Sequence, residues 1–312
     1  MKIFALTPVK NEEWILPTYI SSMRKIADEI IILDDNSTDN TALILKNAGV
    51  IVIQGDTSAK VNMSKKRLAL LKEGRKRGGT HFIWLDADES FDANFLKNGR
   101  KIISKLKPGR KITLPWITLW KTIDEERVDG VWKENFKDVI VHDITEYSFE
   151  NRDLSEGRTQ GPNTDVLHLS KDVGQILHFQ FLNFDDASLK QAWYRCLELS
   201  QSKKSPQRIN NMYSVSLDTG NVQTKKTLPT WFEGIALPSN ESNKRKWYTD
   251  EILKMFNIHG ISFFEPLDIW RIQELKDEFK KQMRRDPVAK TFPKWLIKLN
   301  TIKNKIKQCL KK

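Results

Sequence analysis

Cysteine is scarce. Two residues, Cys196 and Cys309, in a chain of 312 cannot build a disulfide scaffold or a four-thiolate zinc site. Both are expected to be reduced thiols in a cytoplasm. Five histidines leave little room for a histidine-rich metal cage. With 14 Gly and 11 Pro, collagen-like and glycine-rich classes are excluded. No apolar run approaches the roughly 20 residues that a membrane-spanning helix needs. The first residues, Met1 to Pro8, read as a strand, without the apolar core and small-residue cleavage site of a signal peptide. The expected location is therefore cytoplasmic. What the chain does have is apolar material, 39% of residues with ten Trp and fifteen Phe, enough to offset chain entropy in a large core.

The net charge of +12 is unevenly placed. Residues 271–312 hold fourteen Lys or Arg against four acids, which is +10 and leaves only +2 for the rest. A uniformly basic nucleic-acid binder would not be built this way; a near-neutral body with a basic tail is.

The first hundred residues alternate short apolar runs with helical patterns. Strands are expected at Ile3–Leu6, Glu29–Leu33, Val50–Ile53 and His81–Leu85. Helices are expected at Asn11 to about Lys25, from an Asp39 or Asn40 cap to Asn47, from Met63 to about Arg77 before Gly78-Gly79, and at Phe91–Leu106 with Asp92 near its start. Continuous apolar strands separated by helices argue for a parallel sheet covered on both faces. Such sheets bind ligands at the carboxyl ends of their strands. The middle, residues 111–230, is less regular and rich in aromatics (Trp116, Trp120, Trp132, Phe136). A helix is expected at Asp186–Ser202, and from Lys244 the chain reads as helical and increasingly basic.

Two acidic clusters close predicted strands. Asp34-Asp35-Asn36-Ser37-Thr38-Asp39 follows Ile30–Leu33, and its aspartates can either accept from a nucleotide's base or sugar hydroxyl or cap the next helix. Asp86-Ala87-Asp88-Glu89 follows Phe82–Leu85. Asp86 and Asp88, on alternate positions, can converge on one cation, and hard divalent ions are commonly held by one or two carboxylates plus substrate phosphates.

With the N-terminal Thr7-Pro8-Val9-Lys10-Asn11-Glu12-Glu13, these elements resemble the family 2 glycosyltransferases and their GT-A fold. That pattern is a first strand running into Asn11-Glu12-Glu13, a second ending in Asp34 to Asp39, and the Asp86-Ala87-Asp88 metal motif. The likeness covers about residues 1–105. It implies a Rossmann-like, mostly parallel α/β sheet flanked by helices. The chain would have a nucleotide-sugar-binding half at 1–110, an acceptor-binding half at 111–240, and a helical basic extension at 241–312.

The resemblance also implies roles. Thr7, Pro8, Lys10, Asn11, Glu12, Asp34 and Asp35 would border the nucleoside, Asp34 as partner of the base. Asp86 and Ala87 would lie near the ribose and metal, and Asp88 would ligate Mn²⁺ or Mg²⁺ beside the diphosphate of a UDP-sugar or similar donor. The Arg-Asn pair that the family often carries is replaced by Ser64-Lys65-Lys66-Arg67, and Lys66 and Arg67 suit a diphosphate by charge. The family's Glu-Asp acceptor segment is not recognisable. Candidate general bases are Glu156, in a Ser155-Glu156-Gly157-Arg158 run that resembles a His-Glu-x-Arg-like element, and Asp143. His178, in an apolar stretch, is either a third metal ligand or a core histidine; His168 is the weaker alternative.

The activity implied is inverting, metal-dependent transfer of a hexose-type sugar to a hydroxyl of a surface or lipid-linked glycan, in polysaccharide or lipopolysaccharide assembly. Two rivals are a sugar-phosphate nucleotidyltransferase, which should carry a glycine- and arginine-rich first loop that is missing here, and a basic nucleic-acid-binding protein, against which the charge asymmetry speaks. In the tail, Phe292, Trp295, Leu296, Leu299, Ile302, Ile306 and Leu310 recur at helical spacing among lysines. Residues 288–312 either lie peripherally on an anionic membrane or pack their stripe on the catalytic body.

Overall fold

The computed structural model describes residues 1–56, 62–149, 157–201, 204–216, 222–238 and 246–288. The chain divides into two compact units: Met1–Asn183 with Val222–Asn243, and Phe184–Asn221 with Lys244–Lys312. The central sheet of the first unit runs through both the 1–110 and the 111–240 stretches, whereas 184–221 clusters with the residues after 244. Among the described residues no helix is long and apolar enough to cross a membrane. The amphipathic repeat beyond Val288 and Cys309 lie outside the described residues.

In the first unit, the chain runs β1 (Ile3–Val9), α1 (Leu16–Met23), β2 (Glu29–Asp34), α2 (Thr41–Ala48), β3 (Ile51–Gln54), α3 (Met63–Lys76), β4 (His81–Ile83), β5 (Glu89–Phe91) and α4 (Ala93–Ile103). It continues through β6 (Lys111–Thr118), β7 (Glu125–Arg127), β8 (Phe136–His142), β9 (Val166–His168) and β10 (Ile176–His178). The sheet order is β3-β2-β1-β4-β8-β6-β10-β5, with β9 also paired to β6. Strands β3, β2, β1 and β4 are mutually parallel, as the continuous apolar runs predict. β8 enters antiparallel between β4 and β6, and β5 is antiparallel to β10.

The helix limits follow local chemistry. Asn62 caps α3 by accepting from Lys65 N, and Asp92 caps α4 by accepting from Phe95 N. Gly49, at φ +63°, closes α2 in the left-handed conformation. One expected boundary differs. Glu89–Phe91, read as an acidic turn leading into a helix at Phe91, is a buried strand, because it finds β10 as a partner far along the chain. The sheet is covered on both faces: Ile3, Ala5, Ile30 and Ile32 face one apolar cluster, and Phe4, Leu6, Ile31 and Leu33 the other, with Leu70, Leu71 and Phe82.

The second unit is helical: α5 (Phe184–Gln201), α6 (Pro206–Ser214), α7 (Lys246–His259) and α8 (Gln273–Met283). Its core includes Cys196, Ile252, Phe256, Phe264 and Phe279. Cys196 is a buried free thiol, and burial raises its pKa well above the ordinary thiol value. The first unit also holds a two-stranded sheet of β7 and β11 (Thr224–Lys226).

At the amino end of β4, His81 stacks on His142 of β8, ring centres 4.0 Å apart. Burial, then the neighbouring His142, lowers the His81 pKa from 6.5 to about 4. Between those values the unfolded chain binds more protons on this ring than the folded protein does. The stability His81 contributes is therefore present above pH 6.5 and is lost as pH falls through 4. Asp92, pushed up to about 6 by burial, works in the opposite sense over an overlapping range. The expected result is therefore a difference: His81→Phe should lose less stability than wild type between pH 6.5 and 4. Parallel pH–stability curves would show that His81 titrates normally.

Candidate active site

The carboxyl ends of β1, β2 and β4 lie along one edge of the sheet, and two loops there lock each other. Asn11, in the left-handed region at φ +53°, donates its backbone N–H to Ser37 Oγ (2.9 Å) and accepts from Thr38 N at its side-chain oxygen (2.6 Å). Asp34 Oδ1 accepts from Ser37 N (3.0 Å), and Glu12 N donates to Thr41 Oγ1 (2.9 Å). Glu12's carboxylate accepts from the Trp14 indole (2.7 Å). Thr7 is fully buried on β1. The expected nucleoside-binding segments are thus brought together, and several of their polar groups shape the loops themselves.

Past β4 the chain turns tightly. Glu89 N donates to Asp86 O (3.0 Å), and Asp86 N donates back to Glu89 Oε2 (3.1 Å). The backbone of Asp88 accepts from Phe179 N (2.9 Å), and its carboxylate faces His178 Nε2 at 3.8 Å. Register explains the meeting: His178 on β10 pairs with Glu89 on β5 and with Thr118 on β6. The His178 ring lies stacked on Trp116, centres 4.3 Å apart. Asp88 and His178 are both nearly inaccessible.

Asp86 turns another way, toward Arg158 (2.9 Å) and Arg67 (4.0 Å). Arg158 also grips the wholly buried Glu89 with two bonds, 2.5 and 2.8 Å, and the Trp116 indole donates to Glu89 Oε1 (2.5 Å). Burial raises the Glu89 pKa; Arg158 pulls it back, and the charge of Asp86 pushes it up again. For Arg158 burial opposes the charge, but Asp86 and Glu89 outweigh it and hold its pKa above the usual value. Under this cluster lies the buried hydroxyl of Tyr19, on α1. Burial, reinforced by Asp86 and Glu89, raises its pKa.

Both expected phosphate cations are engaged by protein groups: Lys66 pairs with Asp35 (2.5 Å), and Arg67 donates to Gly157 O (2.9 Å). Asp143 is not brought to this edge. It follows β8, which runs antiparallel to β4, so it emerges at the amino end of β4, where its backbone N–H donates to Thr80 O. There Arg75 clamps it with bonds of 2.7 and 2.8 Å and Gln160 donates to it, which is the setting of a fixed structural ion pair. Glu156 lies outside the described residues. His168 is exposed on β9 opposite Thr113, away from the Thr118 that neighbours His178.

Among the described residues no three His, Cys, Asp or Glu side chains converge as a closed metal cage. The Asp88–His178 pair instead offers one carboxylate and one imidazole side by side. That fits a divalent ion whose remaining positions are filled by phosphate oxygens and water. Sequence reading missed Glu89 and Arg158 as a unit. The signal was present in the acid directly after Asp88, but its partner lies 69 residues away.

Residues 5–122 match the family model described as glycosyl transferase family 2. The matched span holds the first loop, Asp34, Asp86, Asp88 and Trp116. Solved structures similar to this chain include that of Staphylococcus aureus TarS, at 17% identity over 69% of this chain and 43% of that one, TM-score 0.38. A TarS 1–349 structure is similar at 14% identity over 90% and 92%, TM-score 0.36. Glucosyl-3-phosphoglycerate synthase from Mycobacterium tuberculosis is similar at 24% identity over 28% and 34%, TM-score 0.24. The chain thus spans under half the length of the TarS and synthase chains first matched. No curated protein matches it.

Proposed function

We propose that the chain moves a sugar from a nucleotide-sugar donor, a UDP-sugar first among them, to a hydroxyl of a surface or lipid-linked glycan, with inversion. The observation that carries this reading is the Asp88–His178 pair at 3.8 Å, at the sheet edge that also presents Asp34. In this reading Asp34 and the Thr7–Glu12 loop hold the nucleoside. Asp88 and His178 hold Mn²⁺ or Mg²⁺, which when bound supplies positive charge to the departing diphosphate. Asp86 borders the ribose while balancing Arg158.

Inversion needs a single in-line displacement. The acceptor oxygen bonds to the anomeric carbon as the bond to the diphosphate oxygen breaks, and the hydroxyl proton passes to a carboxylate base. Glu156 is the proposed base. Two contacts favour it: Arg158 is fixed to Asp86 and Glu89, and Arg67 holds Gly157 O, so the residues directly after Glu156 are fastened beside the metal motif.

Melting curves of the full chain with UDP-, GDP-, dTDP- and CMP-sugars, each with and without Mn²⁺, test the reading. A ligand at 100 times its Kd adds about 2.7 kcal/mol to stability. One nucleotide class should raise the melting temperature, and Mn²⁺ should enlarge the rise. A flat response across all four classes would reject a nucleotide-sugar donor.

A further inference from the structure

Lys137, at the start of β8, stands apart from the other basic residues of the site. β8 lies between β4 and β6, and Lys137 pairs in register with Leu114 while Trp84 N donates to Val139 O. That places it at the edge where β4 runs out into Asp86. Its Nζ lies 4.8 Å from the centre of the Trp116 ring, the same ring that stacks on His178. The charged groups acting on it are Arg158, Glu89, Asp86 and Asp138.

Each of those acids is already engaged. Glu89 and Asp86 are held by Arg158, and Asp138 bonds Thr113 Oγ1. Among the described residues, Lys137 makes no ion pair with any of them. Burial, then the adjacent Arg158, lowers its pKa. A partly buried ammonium facing a ring, without a carboxylate in contact, carries a desolvation cost that the more distant acids and the ring offset only in part, since burial and Arg158 outweigh them. Lys66 and Arg67, the cations that the family resemblance points to, are tied to Asp35, Gly157 and Asp86.

We propose that Lys137 is a phosphate-binding residue of this site, its ammonium reserved for a diphosphate oxygen of the donor. This rests on the nucleotide-sugar reading above. Trp116 then serves twice, one face on His178 and the ring under Lys137, so that the imidazole and the ammonium are held by one rigid indole.

Titration calorimetry of the full chain with UDP, GDP, dTDP and CDP, and with the matching nucleosides, in the presence of Mg²⁺, tests it. Lys137→Met should weaken the bound nucleoside diphosphate roughly 10- to 100-fold, the loss of one charge-assisted contact, and leave the nucleoside alone unchanged. Lys137→Arg should recover most of the affinity. Without ligand, Lys137→Met should melt at or above the wild-type temperature, since a partly buried charge with no ion pair of its own is removed. A Lys137→Met protein that binds the diphosphate as wild type does, or that melts lower while binding nucleoside and diphosphate equally weakly, would make Lys137 a structural residue and overturn the proposal. If wild type binds none of the four diphosphates, the donor reading itself fails, a result distinct from either.

Discussion

Asp88→Ala should lower kcat/KM roughly 10²- to 10³-fold, the scale on which groups stabilising transition-state charge act. The protein should remain folded. Asp88 holds β10 through its backbone oxygen, which accepts from Phe179 N, and that bond survives the substitution. The lost group is the carboxylate that faces His178 Nε2 at 3.8 Å. Initial rates of donor consumption, with a melting curve as control, measure the effect. Asp143→Asn is the useful contrast. It should loosen the clamp of Arg75 and cost stability while leaving the rate per folded molecule close to wild type. Were Asp143→Asn to remove activity and Asp88→Ala to spare it, the assignment of the two edges would be reversed.

Glu89→Ala should destabilise by about 3–5 kcal/mol, the cost of removing one member of a buried ion pair. Two groups lose bonds at once: the Arg158 guanidinium loses those of 2.5 and 2.8 Å and keeps the one to Asp86, and the Trp116 indole loses its acceptor at 2.5 Å. Glu89→Gln, which keeps the shape and one acceptor oxygen, should cost less, about 1–3 kcal/mol. Replacing the pair together, Glu89→Leu with Arg158→Met, should recover much of the loss, because the desolvation of both ions goes with them. Urea denaturation of wild type, Glu89→Leu, Arg158→Met and the double variant closes the cycle. Additive losses in the double variant would mean that the two side chains do not act as a pair. The recovered double variant should still transfer poorly, since the chain after Glu156 is no longer fastened to Asp86.

The half of the fold nearest the amino terminus was legible for a physical reason. β1, β2 and β3 are apolar runs between helices whose caps are local: Asn62, Asp92 and Gly49 act on neighbours within a few residues. Asp34, Asp86 and Asp88 could be placed because each follows such a run. β5 and β10 could not. Each is three residues long, and the first begins with a buried acid whose charge is met by Arg158, so neither length nor hydropathy marks it. Asp143 was misplaced for a related reason. Its neighbours do not report the direction of β8, and one antiparallel strand moves it to the opposite edge. Lys137 was invisible for the same reason in reverse: its significance lies in the carboxylates around it being occupied by others.

The most direct measurement is anomalous diffraction from a crystal of the full chain grown with Mn²⁺ and the nucleoside diphosphate that raises its melting temperature most. A manganese peak touching the carboxylate of Asp88 and the imidazole of His178, with phosphate oxygens completing its sphere, is the result expected. A peak bound elsewhere, with the diphosphate seated away from Asp88 and His178, would contradict it.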